Sequence, residues 1–286
     1  MRFLRLERTE LPESLPFVMA LAGWGDAAGV ASQAVARLAE DGVVVATFDA
    51  DELFDFRSNR PMLHFADGEL RSVRWPRIEI LEVEVAGRSL LVGRGHEPDF
   101  RWRAVGEDLV AFAGLAEIDR FVTLGAVPAP VPHTRPVRVV ATASDPGLLA
   151  TGDELLPNEL VVPAAALSVF RKTLADAGIP TVGYWAQVPH YVGEPYHAGQ
   201  LALLEHLSRQ LELDIPVGSV AAAATQQREE LDRIVASRDD ARAYVARLEA
   251  IVDRDEPRSA FEPPDGDDLV AEIERFLRES SQDGEG

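Results

Sequence analysis

The 286-residue chain contains no cysteine, and that absence removes disulfides, thiolate-bound zinc, iron–sulfur clusters and cysteine nucleophiles together. Lysine is nearly absent too: of 28 basic residues only Lys172 is one, so a P-loop or a Schiff base has a single candidate. Lys172 follows Arg171 inside an expected helix, not a G-x-x-x-x-G-K-[ST] loop, and no G-x-S-x-G nucleophile elbow occurs. Positive charge is scarce against 48 acidic residues, and the resulting −20 repels a phosphate backbone, so nucleic acid is not an expected partner. No apolar run approaches the ~18 residues of a membrane span, and charges are scattered through the first 17 residues where a signal peptide would be apolar. The expected compartment is the cytoplasm, with no membrane partner. No spaced set of His, Asp and Glu has metal-ligand geometry, so neither a metal nor a cofactor is expected.

What the chain does have is globular composition, with 47% hydrophobic and 27% charged residues, and a length of roughly two domains at about 150 residues each. Strand and helix patterns alternate. An apolar run from Leu15 to Ala22 ends in Gly-Trp-Gly and precedes a helical stripe of Ala27, Val30, Ala31, Ala34 and Leu38, with Asp26 as its expected N-cap. Strands are expected over 43–48, 78–85, 89–92, 121–124, 137–143 and 181–188, and a hairpin over 62–75 turns at Asp67-Gly68. Helices are expected after Pro98, with Trp102, Val105, Leu109 and Phe112 as the apolar face, and over 164–177 and 199–213. The pattern predicts an α/β core with helices on both faces of a sheet that the hairpin makes partly antiparallel.

From Ser219 the period becomes purely helical and the charge more acidic, 18 acids against 9 arginines in the last 68 residues. Leu231, Ile234, Val245, Leu248 and Val252 form one stripe, while Arg233, Asp239, Asp240, Arg247 and Glu249 fall on an expected solvated face. The division is therefore a core at 1–218, a helical hairpin and a short helix at Leu269–Leu277 within 219–280, and a disordered tail at 281–286.

Four strand ends hold the polar candidates. Gly23-Trp24-Gly25-Asp26-Ala27-Ala28 matches G-x-G-x-x-A between a strand and a helix, with Asp49 and Asp51 a little over twenty residues on. The match is formal, because Asp26 puts a carboxylate where a pyrophosphate would sit and Trp24 crowds the approach. His96 and Glu97 open a loop before the next helix, where capping that helix is the favoured reading over chemistry. His133 and Arg135 end a Pro-rich segment that three prolines keep extended, and His190 again follows a strand. Ligands bind outside the carboxyl ends of parallel strands, so Trp24, Asp26, His96, Glu97, His133, Arg135 and His190 are the candidate rim. None is assigned as catalytic, because a lone histidine at a strand end is more often a satisfied structural group.

Four segments in order, LAGWGDAAGVASQAV, GHEPDFRW, LGAVPAPVPHTRP and GIPTVGYWAQVPHYVGEPYHAGQLALLEHL, resemble the proteasome assembly chaperone 2 family, in its actinobacterial-type branch with a helical C-terminal extension. The resemblance spans about residues 1–215. It implies a three-layer α/β/α core similar to nucleoside phosphorylases with a mixed sheet, association into a homo-oligomer such as a trimer, and a chaperone-like, non-enzymatic role toward proteasome or other protein subunits. It carries over no catalytic residues. Relatives that dock through their tails end in a hydrophobic residue, Tyr and one more; this chain ends Asp283-Gly284-Glu285-Gly286, so tail docking is not expected. The alternative from the residues is an enzyme acting on a nucleoside-like or carboxylate substrate at the rim, which requires at least three rim side chains to meet at one point in a pocket.

Overall fold

The structure is a computed structural model that describes residues 1–156 and 159–254. In chain order its first half runs β1 (Leu4–Leu6), β2 (Phe17–Ala22), α1 (Val30–Leu38), β3 (Val43–Phe48), α2 (Ala50–Leu53), β4 (Met62–Ala66), β5 (Glu69–Arg74), β6 (Ile78–Val85), β7 (Arg88–His96) and α3 (Trp102–Leu115). There follow β8 (Phe121–Ala129), β9 (Val139–Ala143), β10 (Glu154–Leu155), α4 (Ala166–Asp176), β11 (Thr181–Pro189), α5 (His197–Leu211), α6 (Gly218–Ala236) and α7 (Asp239–Val252).

Nine strands make one mixed sheet, in the order β1-β3-β6-β7-β2-β8-β11-β9-β10. Its centre, β7, β2, β8 and β11, is parallel. That suits β2, whose FVMALA has no polar alternation because both of its faces are covered. Val18, Ala20, Val92, Val122 and Tyr184 point to α1 and α5, whereas Phe17, Met19, Leu21 and Phe121 point to α3 and α4. Phe17 lies 5.0 Å from Phe121 and 6.1 Å, edge-on, from Phe112, a geometry that adds aromatic attraction to the burial of area. Three layers result, α/β/α, with the parallel strand ends β2, β7, β8 and β11 at one rim.

Several local expectations change. The 62–75 hairpin stands outside the main sheet as a two-stranded sheet of its own, and the antiparallel pairs of the main sheet are β1–β3, β3–β6, β6–β7 and β9–β11. Gly93 to His96 continue β7 where the glycines suggested a loop, because Gly95 pairs with Ile78 and His96 with Ala22. The Pro-rich segment begins inside β8, whose Pro128 and Ala129 pair with Val188 and Pro189. Pro98 lies outside α3, which opens at Trp102. In the C-terminal helices the buried stripe is narrower than expected: Val220, Ala224, Val245 and Leu248 are buried, but Ile234 is 53% and Val252 39% exposed. The expected helix at 269–277 and the tail at 281–286 lie outside the described residues.

Candidate functional site

Glu97 occupies the middle of the rim and is wholly engaged. Its Oε2 accepts the Trp24 N–H at 3.0 Å and its Oε1 the Ala166 N–H at 2.6 Å. The second bond caps α4, whose preceding residue Ala165 has no side chain able to do so. The first holds the Gly23-Trp24 turn so closely that a Cβ on Gly23 would lie 2.6 Å from the Glu97 Cβ. The Trp24 indole itself stays exposed.

Asp26 caps the first helix from a greater distance than expected. A single 3-10 turn, Ala27–Gly29, intervenes, and α1 starts at Val30 after a left-handed Gly29. The Asp26 carboxylate reaches over that turn to accept the N–H groups of Ala31 at 2.7 Å and Ser32 at 3.2 Å. Burial raises its pKa above the usual carboxylate value, against the bonds from Ser32 and Ala31. The helix N-terminus that a dinucleotide phosphate would need is thus already filled. Asp49, the formal ribose partner, caps α2 and pairs with Arg5 at 2.5 Å. Asp26→Ala is expected to lose about 1–2 kcal/mol and Asp26→Asn less than half of that, since Asn retains an acceptor. Urea unfolding of the two variants measures the difference; equal losses would show that charge, not capping, is what Asp26 contributes.

His96 ends β7 with its ring edge-on to Phe54 at 6.4 Å, and burial, with Arg74 and Arg77 nearby, lowers its pKa toward the neutral form. His133, Arg135 and His190 come together, but around the C-terminal helices. The Tyr191 hydroxyl accepts the His133 backbone N–H at 2.8 Å and lies 2.7 Å from His133 Nδ1. A hydroxyl with one proton then donates it to Nδ1, leaving the Nε2 proton for Asp232 of α6 at 3.2 Å. Burial lowers the His133 pKa, against the bond to Asp232, and raises that of Tyr191, so it favours the neutral form of each. His190 contacts the Ala129 carbonyl through Nδ1 at 3.2 Å and the Tyr244 hydroxyl of α7 through Nε2 at 2.8 Å. Arg135 reaches Glu249 at 3.0 Å and Asp253 at 2.6 Å, and Thr134 also donates to Glu249.

The rim therefore separates into groups: Trp24 and Glu97 at the start of α4, Asp26 at the start of α1, His96 against Phe54, and the two remaining histidines with Arg135 under α6–α7. A groove of about 640 Å3 between α5 and α6 takes in His133 and Arg135 and none of the other five candidates. Among the described residues no group of His, Asp and Glu has the placement to hold a metal ion. Also among them, no helix is long and apolar enough to cross a membrane. Asp232, Tyr244, Glu249 and Asp253 are not among the sequence candidates, and Glu249, expected on the solvated face, instead meets Thr134 and Arg135. One signal was available: Glu249 and Asp253, four apart, make an acidic stripe suited to one arginine.

The model of the PAC2 family matches residues 20–235. A protein of unknown function from Corynebacterium glutamicum superposes with a TM-score of 0.83 at 27% identity, over 88% of this chain and 98% of that one. A PAC2 family protein from Streptomyces avermitilis (TM-score 0.74, 36% identity) is similar over 81% of this chain and 100% of that one. So is a proteasome-assembly chaperone homologue from Mycobacterium tuberculosis, at 32% identity, with the same coverage and TM-score. No curated protein matches the chain.

Proposed function

The chain belongs to the PAC2 family, and from that premise we propose that it is a homo-oligomeric, chaperone-like protein that works through protein surfaces and not through a chemical site. One observation carries the reading: Asp26, Glu97, His133, Arg135 and His190 are each bonded to the chain's own backbone, side chains or C-terminal helices. Groups so engaged hold a rim in shape; they do not converge on an empty point where a substrate atom would react. Proteasome subunits are the proposed partners, supported by the relative at 32% identity that is a proteasome-assembly chaperone homologue. The proposed compartment is the cytoplasm. The net charge of −20 opposes self-association only weakly at ~0.15 M salt, where the Debye length is about 8 Å.

The test mixes the purified protein with separately purified proteasome α and β subunits of its source organism and follows particle formation on native gels. Assembly accelerated severalfold at equimolar chaperone is expected. An unchanged rate with no complex on the gel removes the chaperone reading. Light scattering at ~0.15 M salt gives a multiple of the chain mass if the protein is a homo-oligomer, and a monomer mass removes that part.

A further inference from the structure

The strands β4 and β5 form an arm that nothing among the described residues covers. Every residue of the two strands is exposed except Ala66, which is half-buried. Their turn is tight, with Asp67 and Gly68 both at positive φ, 53° and 79°. Leu63 pairs with Val73 and Phe65 with Leu70, and paired residues share a face. Between these pairs the register shifts by one residue, which leaves Arg71 without a partner across the ladder. Without that bulge, Leu70 and Val73, three apart, would point to opposite faces. With it, Leu63, Phe65, Leu70 and Val73 lie on one face, exposed by 53, 60, 51 and 38%. A two-stranded sheet is marginal in water by itself, and an all-apolar face on it is stabilised only by contact with something else.

Charge indicates what that contact is. Residues 57–77 hold five arginines against Asp67 and Glu69, a net +3, which leaves −23 for the rest of the chain. Arg57, Arg71 and Arg77 are paired locally with Asp55, Glu69 and Glu79. Arg60 and Arg74 have no carboxylate partner among the described residues. Two arms meeting each other would set +3 against +3. An acidic, partly apolar surface exists at the far end of β6, whose eight residues span about 25 Å of extended chain. There a hollow of about 240 Å3 has Val83, Val85 and Ile215 in its wall and Glu40, Asp41 and Glu84 at its rim, three acids against one base, Arg37, which donates to Ser219. Those three carboxylates are exposed and have no basic partner among the described residues.

Resting on the homo-oligomer reading, we propose that the β4–β5 arm of one copy seats its apolar face at the Glu40-Asp41-Glu84 hollow of a second copy. Arm and hollow are different patches at opposite ends of β6, so the contact is head-to-tail, and its repetition closes a ring or extends a filament.

Analytical ultracentrifugation of the full chain tests this, with melting temperature checked alongside. Phe65→Ser with Leu70→Ser on the arm, and Glu40→Arg with Asp41→Arg at the hollow, each change exposed positions and should leave the melting temperature of the core intact. Each pair is expected to weaken association at least a hundredfold. Arg60→Glu with Arg74→Glu should weaken it as well, and combining that swap with the hollow swap in one chain should restore it. Arm variants that keep the wild-type oligomer overturn the arm inference while leaving the homo-oligomer reading in place. Loss on the arm with no effect at the hollow overturns the assigned receiving surface, and a monomeric wild type overturns both inference and reading.

Discussion

Asp108→Ala is expected to lose about 3–5 kcal/mol of folding stability, far more than an ordinary helix substitution. The Asp108 carboxylate is almost fully buried, and it accepts three backbone N–H groups: Arg2 at 2.6 Å, Phe3 at 2.6 Å and Leu4 at 2.9 Å. A hydrogen bond to a charged group contributes about 1.5–3 kcal/mol, and removing the acceptor leaves N–H groups of the entering chain buried and unpaired. The damage should be local to the β1–α3 junction, where Phe3 and Leu4 lose the anchor that seats them in the core. Asp108→Asn should fall between, because its amide nitrogen would face an N–H where an oxygen now accepts one. Urea unfolding with an unchanged m-value measures the loss. A value under about 1 kcal/mol for Asp108→Ala would mean that the amino-terminal strand finds other acceptors.

Gly95→Ala should cost at least about 3 kcal/mol or break the first pairs of β6 with β7. A Cβ at residue 95 would lie 2.0 Å from the Arg77 carbonyl oxygen and 2.8 Å from the Ile78 Cα, both backbone atoms that cannot rotate away, and φ is +150°. Gly87→Ala is the control in the same strand pair. Its φ of +76° is also positive, but nothing lies within 4 Å of the added Cβ, so only conformational strain of about 1 kcal/mol is expected. Amide exchange at Ile78 and His96 separates local fraying from global loss. Equal effects of the two substitutions would show that φ alone, not the approach of Arg77, demands glycine at 95. Because the arm joins β6 at this point, fraying there should also weaken association if the arm is the contact.

The two positions differ in how far they could be read beforehand. Gly95 was visible as one of a pair of glycines flanking Arg94, but glycine marks a loop or a close backbone approach equally well, and only the register with Ile78 decides between them. Asp108 lies on the apolar side of an amphipathic helix, between Val105 and Leu109, where an isolated acidic residue reads as an interruption. Its partners are more than a hundred residues away in sequence. The rim shows the same contrast. Glu97 was recognisable as a capping residue, but the helix it caps begins at Ala166, not at the helix that follows it. His133 and His190 are recognisable as polar groups at strand ends, whereas their partners Asp232 and Tyr244 lie 99 and 54 residues away in sequence.

The sequence by itself determined the layers: apolar runs make strands, and apolar residues at helical spacing make the helices that cover both faces of their sheet. It also determined the family, through four segments in a fixed order. These are properties of residues near one another along the chain, where period and composition act directly. The tertiary structure alone decided which strands pair, that the 62–75 hairpin stands apart as an arm, that a one-residue bulge gathers Leu63, Phe65, Leu70 and Val73 on one face, and that His133, His190 and Arg135 fasten the C-terminal helices. Each of those depends on register or on a hydrogen-bond partner from a distant segment, and a polar side chain carries no mark of which distant donor or acceptor will satisfy it.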